Sequence, residues 1–139
     1  MATDHASGEH RSSALHGLTP MLTTWDLPGS IAFYTDVLGF TCERRSDEWG
    51  WASLRREGVE IMLARPHAHM GETAPAFTGS LYLRTADVDG WWQRLKDRAR
   101  VCYPIETFVY GMREFAIYDN NGYVLQFGQP LARAPGREA

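Results

Sequence analysis

Hydrophobic and polar positions along this chain fall into two similar blocks. Each opens with a strand-like run, Met21 to Trp25 in the first and Leu81 to Ala86 in the second, that meets an Asp suited to cap a helix. Apolar spacing then switches from period two to helical period, and short β-rich runs follow. The pattern predicts strands near 19–25, 40–45, 49–55 and 59–64 around a helix near 28–38. It predicts strands near 80–86, 101–106, 112–118 and 123–128 around a second helix near 88–98. Leu22, Thr24, Asp26, Gly29 and Asp36 recur as Leu83, Thr85, Asp87, Gly90 and Asp97, always 61 positions later. Five identities in so short a stretch exceed the roughly one expected from average composition. The chain therefore reads as a fused pair of β-α-β modules.

Between the modules, Arg65 to Gly79 holds two prolines and two glycines and reads as a linker. Asp119-Asn120-Asn121-Gly122, tolerant of positive φ, reads as a hairpin turn between two strands. Residues 1–17 read as a disordered leader, 18–129 as one domain with modules 18–65 and 79–129, and 130–139 as a tail. With 139 residues, 44% hydrophobic and 22% charged, the chain is ordinary for one globular unit with its own core.

The remaining composition narrows the partners. A net charge of -3 without a basic stripe argues against nucleic acid, and the basic stretch Arg94–Arg100, which includes Asp97, reads as a solvated helix face. No apolar run approaches the roughly 20 residues of a membrane helix, and the opening residues contain no hydrophobic segment of the kind expected of a secretory signal. Two cysteines, Cys42 and Cys102, at similar points of the two blocks, suit buried strand positions in a reducing cytoplasm better than a disulfide framework.

Two strings carry a family resemblance: Asp26-Leu-Pro-Gly-Ser30-Ile-Ala-Phe-Tyr34-Thr-Asp-Val-Leu38-Gly39-Phe40, and Tyr110-Gly-Met-Arg-Glu114-Phe115 leading to Asp119-Asn-Asn-Gly122-Tyr-Val-Leu-Gln126-Phe. Over residues 18–129 they resemble the vicinal oxygen chelate superfamily of glyoxalase I, bleomycin resistance proteins and extradiol dioxygenases. The resemblance implies an α+β fold of two tandem βαβββ modules forming a U-shaped mixed-sheet cavity. It also implies side-by-side homodimers, with Pro20 suiting a first strand at a sheet edge or crossing to the partner.

In metal-using members, four His or Glu side chains bind a divalent ion. The resemblance carries those positions onto Thr19, Met62, Ser80 and Gln126. Hydroxyls, a thioether and a neutral amide are poor ligands for Zn, Ni, Fe or Mn, so no metal and no other cofactor is expected there. His67 and His69, with Glu60 or Glu72, form a weaker candidate on the linker, two imidazoles without a placed third ligand. Nucleophilic chemistry has no G-x-S-x-G elbow, no phosphate-cradling glycine loop and no His beside either Cys.

Alternation in the family's register turns Glu114 inward, where a carboxylate serves as a weak candidate base or a cation site, or simply pairs with an Arg. Trp49, Trp51, Tyr82, Phe108 and Tyr110 border the same cavity, and with Met62, Glu114 and Gln126 they form the candidate ligand-binding set. Trp49, Trp51 and Ser53 are read as sharing one strand face, and adjacent Trp91 and Trp92 as pointing one to the core and one to a dimer seam. The expectation is a metal-free binding protein resembling bleomycin resistance proteins, sequestering an antibiotic or other amphipathic small molecule. The alternative is a metal-dependent lyase, isomerase or dioxygenase of the superfamily with displaced ligands.

Overall fold

The computed structural model describes residues 13–66 and 74–131. In the first half, β1 (Met21–Thr23) and α1 (Leu27–Ala32) are followed by β2 (Thr41–Ser46), β3 (Trp51–Arg56) and β4 (Val59–Ala64). The second half repeats the order as β5 (Ser80–Arg84), α2 (Val88–Leu95), β6 (Arg100–Thr107), β7 (Met112–Tyr118) and β8 (Val124–Pro130). Each half makes its own four-stranded mixed sheet, β1-β4-β3-β2 and β5-β8-β7-β6. The first strand runs parallel to the last in each sheet, and the other pairs are antiparallel.

The repeated residues have a common physical task. Thr24 and Thr85 accept the N–H of Asp26 and Asp87 through Oγ1 at 3.0 Å each. Those two Asp side chains cap the helices by accepting from the Gly29 and Gly90 N–H groups at 3.0 and 3.1 Å. A Cβ on either glycine would sit 2.1 or 2.2 Å from Oδ2 of the capping carboxylate, which is why both positions are glycine. Leu22 and Leu83 anchor the preceding strands to the interior, so the repeat is a strand-to-helix corner built twice.

Apolar residues from both halves merge in a single core that includes Leu22, Tyr34, Leu54, Leu63, Phe115, Leu125 and Phe127. Trp91 and Trp92 both pack against it, on Phe127 and Phe115, with ring centroids 5.0 and 5.2 Å apart. Both rings, half-buried, thus lie on the core side of α2 rather than one on each side. Adjacent positions on α2 straddle its line of contact with the sheet, and the stacked Phe115 and Phe127 offer a ring to each. Trp91 also lies between the guanidinium groups of Arg56 and Arg94, 4.6 and 4.5 Å from its centroid.

The family strings lie at the seam between the halves. Tyr34, fully buried on the π-helical turn Phe33–Val37 that continues α1, donates its hydroxyl to Asp119 Oδ2 at 2.7 Å. Ser30 Oγ accepts from the side-chain amides of Asn120 and Asn121, both at 3.0 Å, and lies 2.7 Å from Thr24 Oγ1. Tyr123 donates its hydroxyl to the Thr23 carbonyl at 2.8 Å. The β7–β8 turn of one module is thus bolted onto the strand-helix corner of the other. Burial pushes the Asp119 carboxyl up, against the hydrogen bonds that favour its charged form.

Several expected boundaries move. Pro20 lies just before β1, its carbonyl accepting from Met62 N at 2.9 Å, and β1 is an edge strand of its sheet. Trp49 stands on the turn before β3 rather than on the strand, 80% exposed, because Gly50 at φ +67° breaks the extended run. The last strand reaches Pro130, and Leu131 donates to the Gly111 carbonyl at 2.9 Å. Cys42 and Cys102 are half-buried on β2 and β6 rather than buried, and no disulfide joins them.

Candidate functional site

One face of each sheet packs on its helix, and alternation turns the other face outward. On the second sheet, that outward face brings Tyr82 of β5, Tyr103 of β6, Glu114 of β7 and Gln126 of β8 together with Phe108 and Tyr110 from the β6–β7 turn. Glu114 is 3% exposed and accepts three phenols: Tyr82 on Oε2, Tyr103 on Oε1 at 3.1 Å, and Tyr110 on Oε1. Gln126 donates to the Tyr103 oxygen at 2.8 Å and accepts from Ser80 Oγ. Phe108 and Tyr110 stack 5.3 Å apart, and Phe108 meets Tyr103 edge-on at 5.9 Å.

Burial alone would raise the Glu114 carboxyl, but the bonds from Tyr110, Tyr82 and Tyr103 outweigh it and hold the group below its usual range. Each phenol responds in the opposite sense. Burial, then the bond to Glu114, pushes Tyr82 far above an ordinary phenol, and the Glu114 bond pushes Tyr110 up to about 12. At neutral pH the cluster is a fixed carboxylate under three phenols that keep their protons. No Arg or Lys lies within ion-pair distance of Glu114 among the described residues.

Two open hollows meet at Tyr110, Glu114 and Gln126. One, of about 370 Å³, adds Tyr82, Arg84 and Met112. The other, of about 360 Å³, adds Tyr103, Glu106 and Phe108. A third hollow of about 450 Å³ lies between the modules, bordered by Pro20, Glu60 and the β5 residues Ser80 to Arg84.

The sequence-read candidates divide between the two sheets. Tyr82, Phe108, Tyr110, Glu114 and Gln126 converge as described. Trp51 and Met62 belong to the outward face of the first sheet, opposite Ala64 and Ser53. Trp49 borders none of the three hollows. Tyr103 was not anticipated. Register shifts on either side of it break simple alternation along β6, and its pairing with Ala116 is the feature that turns it toward Glu114 and Gln126.

A metal fits poorly at the positions the fold family would use. Ser80 and Gln126 are hydrogen-bonded to each other, and Thr19 donates to Glu60 Oε1 at 3.2 Å. Glu60 is the carboxylate beside Thr19, and Glu114, which shares Tyr103 with Gln126, is taken up by its three phenols. Ser53 at 2.7 Å and Arg55 at 3.1 Å also occupy Glu60, and the Ser53 bond leads the effects holding its carboxyl below the usual range. Neutral oxygens and a thioether do not make a transition-metal site. Among the described residues no three His, Cys, Asp or Glu side chains converge on one point. His67, His69 and Glu72 lie outside the described residues.

Paired four-stranded sheets, each with its helix after the first strand, define the class of tandem βαβββ proteins. The chain belongs to the glyoxalase/bleomycin resistance protein/dioxygenase superfamily, whose family model matches residues 16–127. No curated protein matches the sequence. A glyoxalase/bleomycin resistance protein/dioxygenase from Nocardioides is similar in structure, with a TM-score of 0.67 and 20% identity over 99% of each chain. TnmS3, an antibiotic binding protein from Streptomyces sp. CB03234, has a TM-score of 0.69 and 23% identity over 85% of this chain and 98% of its own. A lactoylglutathione lyase from Agrobacterium tumefaciens has a TM-score of 0.63 and 19% identity over 84% and 95%. At these identities the likeness is one of fold. Among the described residues no helix is long and apolar enough to cross a membrane.

Proposed function

We propose that this protein binds an amphipathic small molecule on the aromatic face of its second sheet, without a metal. The observation that carries this reading is the cluster of Tyr82, Tyr103 and Tyr110 over Glu114, open to the hollows beside it. Flat rings grip a planar or amphipathic ligand through contact area and through attraction to cations. The hydroxyls and amide at Thr19, Ser80 and Gln126 then act as hydrogen-bonding wall rather than as ligands to an ion. TnmS3 binds an antibiotic on the same fold, and sequestering an antibiotic is the use that likeness suggests here. A side-by-side homodimer in the cytoplasm belongs to the same proposal.

The test is thermal unfolding of tag-free protein, first after EDTA and with Zn, Ni, Mn or Fe(II) added back, then with a panel of planar aromatic compounds in EDTA. The proposal expects no bound metal by elemental analysis, no metal-dependent shift, and stabilisation by members of the panel. A stoichiometric metal would overturn it, as would about 2.7 kcal/mol of stabilisation at a hundredfold excess of metal over its dissociation constant. Either result would favour the enzyme reading that the lactoylglutathione lyase likeness offers.

A further inference from the structure

The two hollows that meet at Tyr110, Glu114 and Gln126 differ in charge: the Tyr103 side is acidic, whereas the Tyr82 side sets Arg84 against the shared Glu114. The hollow on the Tyr103 side holds two carboxylates, Glu106 and Glu114, and no Lys or Arg lines it. Those carboxylates belong to directly paired residues of β6 and β7, an arrangement that like charges disfavour. The nearest cation along β7, Arg113, is taken up by Asp89 at 2.9 Å and Thr107 at 2.9 Å. The stacked Phe108–Tyr110 pair and the edge-on Tyr103 supply ring surface beside the two acids.

The hollow on the Tyr82 side holds Arg84, the one cation among its lining residues. Arg84 makes no ion pair among the described residues, and its guanidinium lies 5.5 Å from the Tyr82 ring centroid. The two hollows share three wall residues, so one small molecule can reach both.

Resting on the small-molecule reading above, we propose that the ligand is zwitterionic. Its organic cation sits among Tyr103, Phe108 and Tyr110 against Glu106 and Glu114, and its anionic group faces Arg84. Ring faces attract a desolvated ammonium, the two acids add charge, and a guanidinium matches a carboxylate or phosphate.

Phosphocholine, choline and the neutral choline isostere 3,3-dimethyl-1-butanol are the probes, titrated against ¹⁵N-labelled protein with tyrosine ring signals followed in parallel. Phosphocholine is expected to bind tightest, choline next and the butanol weakest, with steps of about two- to fivefold and shifts at Tyr103 and Tyr110. Glu106→Gln should weaken phosphocholine and choline alike by about two- to fivefold. Arg84→Gln should remove the advantage of phosphocholine over choline. Both residues are exposed, so both variants keep the wild-type amide spectrum, and Glu48→Gln, outside both hollows, should leave the order intact. Equal binding of the butanol and choline would overturn the charge assignment while leaving a small-molecule site. Absence of shifts with all three probes, or an order unchanged in Glu106→Gln and Arg84→Gln, would also overturn it. The small-molecule reading itself fails separately, on the aromatic panel.

Discussion

Gly128→Ala tests the phenol cluster without removing any of its polar groups. Gly128 lies on β8 directly beneath the Tyr82 ring, and a Cβ there would stand 2.0 Å from the Tyr82 hydroxyl oxygen and 2.5 Å from its Cζ. Backbone in the middle of a paired strand cannot yield by that much, so the ring must. Tyr82 is 37% exposed and has solvent to swing into, which makes the displacement feasible without unfolding. The cost is the Tyr82 hydrogen bond to Glu114, and a bond to a charged group contributes about 1.5–3 kcal/mol. For a domain of this length that corresponds to a fall in Tm of about 5–12 °C. The second consequence is chemical: released from burial and from Glu114, the Tyr82 phenol should ionise nearer its ordinary value of about 10. Urea unfolding reads the first effect, and a titration of the tyrosine Cζ signals reads the second. Tyr82→Phe should destabilise by a similar amount, because it removes the same bond. A Gly128→Ala protein with wild-type stability and an unmoved Tyr82 titration would refute the packing of Tyr82 on Gly128 and with it the geometry of the cluster.

Two further outcomes follow from the same contacts. Tyr34→Phe removes the phenol from buried Asp119 while the backbone N–H groups of Asn121 and Tyr123 remain on it, so a loss of about 1.5–3 kcal/mol is expected in urea unfolding. The transition should stay single, since both modules share one core. For pH, Glu114 titrates lower in the fold than in the unfolded chain, so its contribution is complete above about pH 4.3 and lost as pH falls through the folded value. The phenols work the other way, with Tyr110 raised to about 12: their contribution is complete below about pH 10 and lost as pH rises toward that value. Unfolding profiles of wild type and Glu114→Gln should therefore converge in acid, and Tyr110→Phe should flatten the alkaline loss.

Much of the fold was legible because the chain states it twice. The offset of 61 linking Thr24, Asp26 and Gly29 to Thr85, Asp87 and Gly90 marks a capping device whose parts must keep their spacing to work. It fails after β7 for a local reason. The β3–β4 turn is Glu57-Gly58, whereas five residues, Asp119 to Tyr123, join β7 to β8, because that turn also reaches Thr23, Ser30 and Tyr34 of the other module. The Asp119 and Tyr34 of the family strings are seam residues.

The site was legible only in part. Period-two alternation from Gln126 and Ala116 puts Glu114 on the sheet face of Gln126, and the two border the same hollow. The partners of Glu114 are three phenols rather than an Arg, and no local pattern foretells that, since Tyr82, Tyr103 and Tyr110 come from β5, β6 and the β6–β7 turn. Tyr103 was hidden by the register shifts in β6. Trp49 read as a strand residue because Trp49, Trp51 and Ser53 alternate, and Gly50 at positive φ is what undoes that alternation.

The most direct test of ligand binding at this aromatic face is an equilibrium titration, in EDTA, of the tightest compound from the aromatic panel against wild type, Tyr82→Ala and Tyr110→Ala. Saturable one-site binding without metal is expected, weakened by about 1–3 kcal/mol, roughly five- to 150-fold, in each variant. Affinity that is unchanged in both folded variants, or that appears only when a divalent metal is restored, would contradict that expectation.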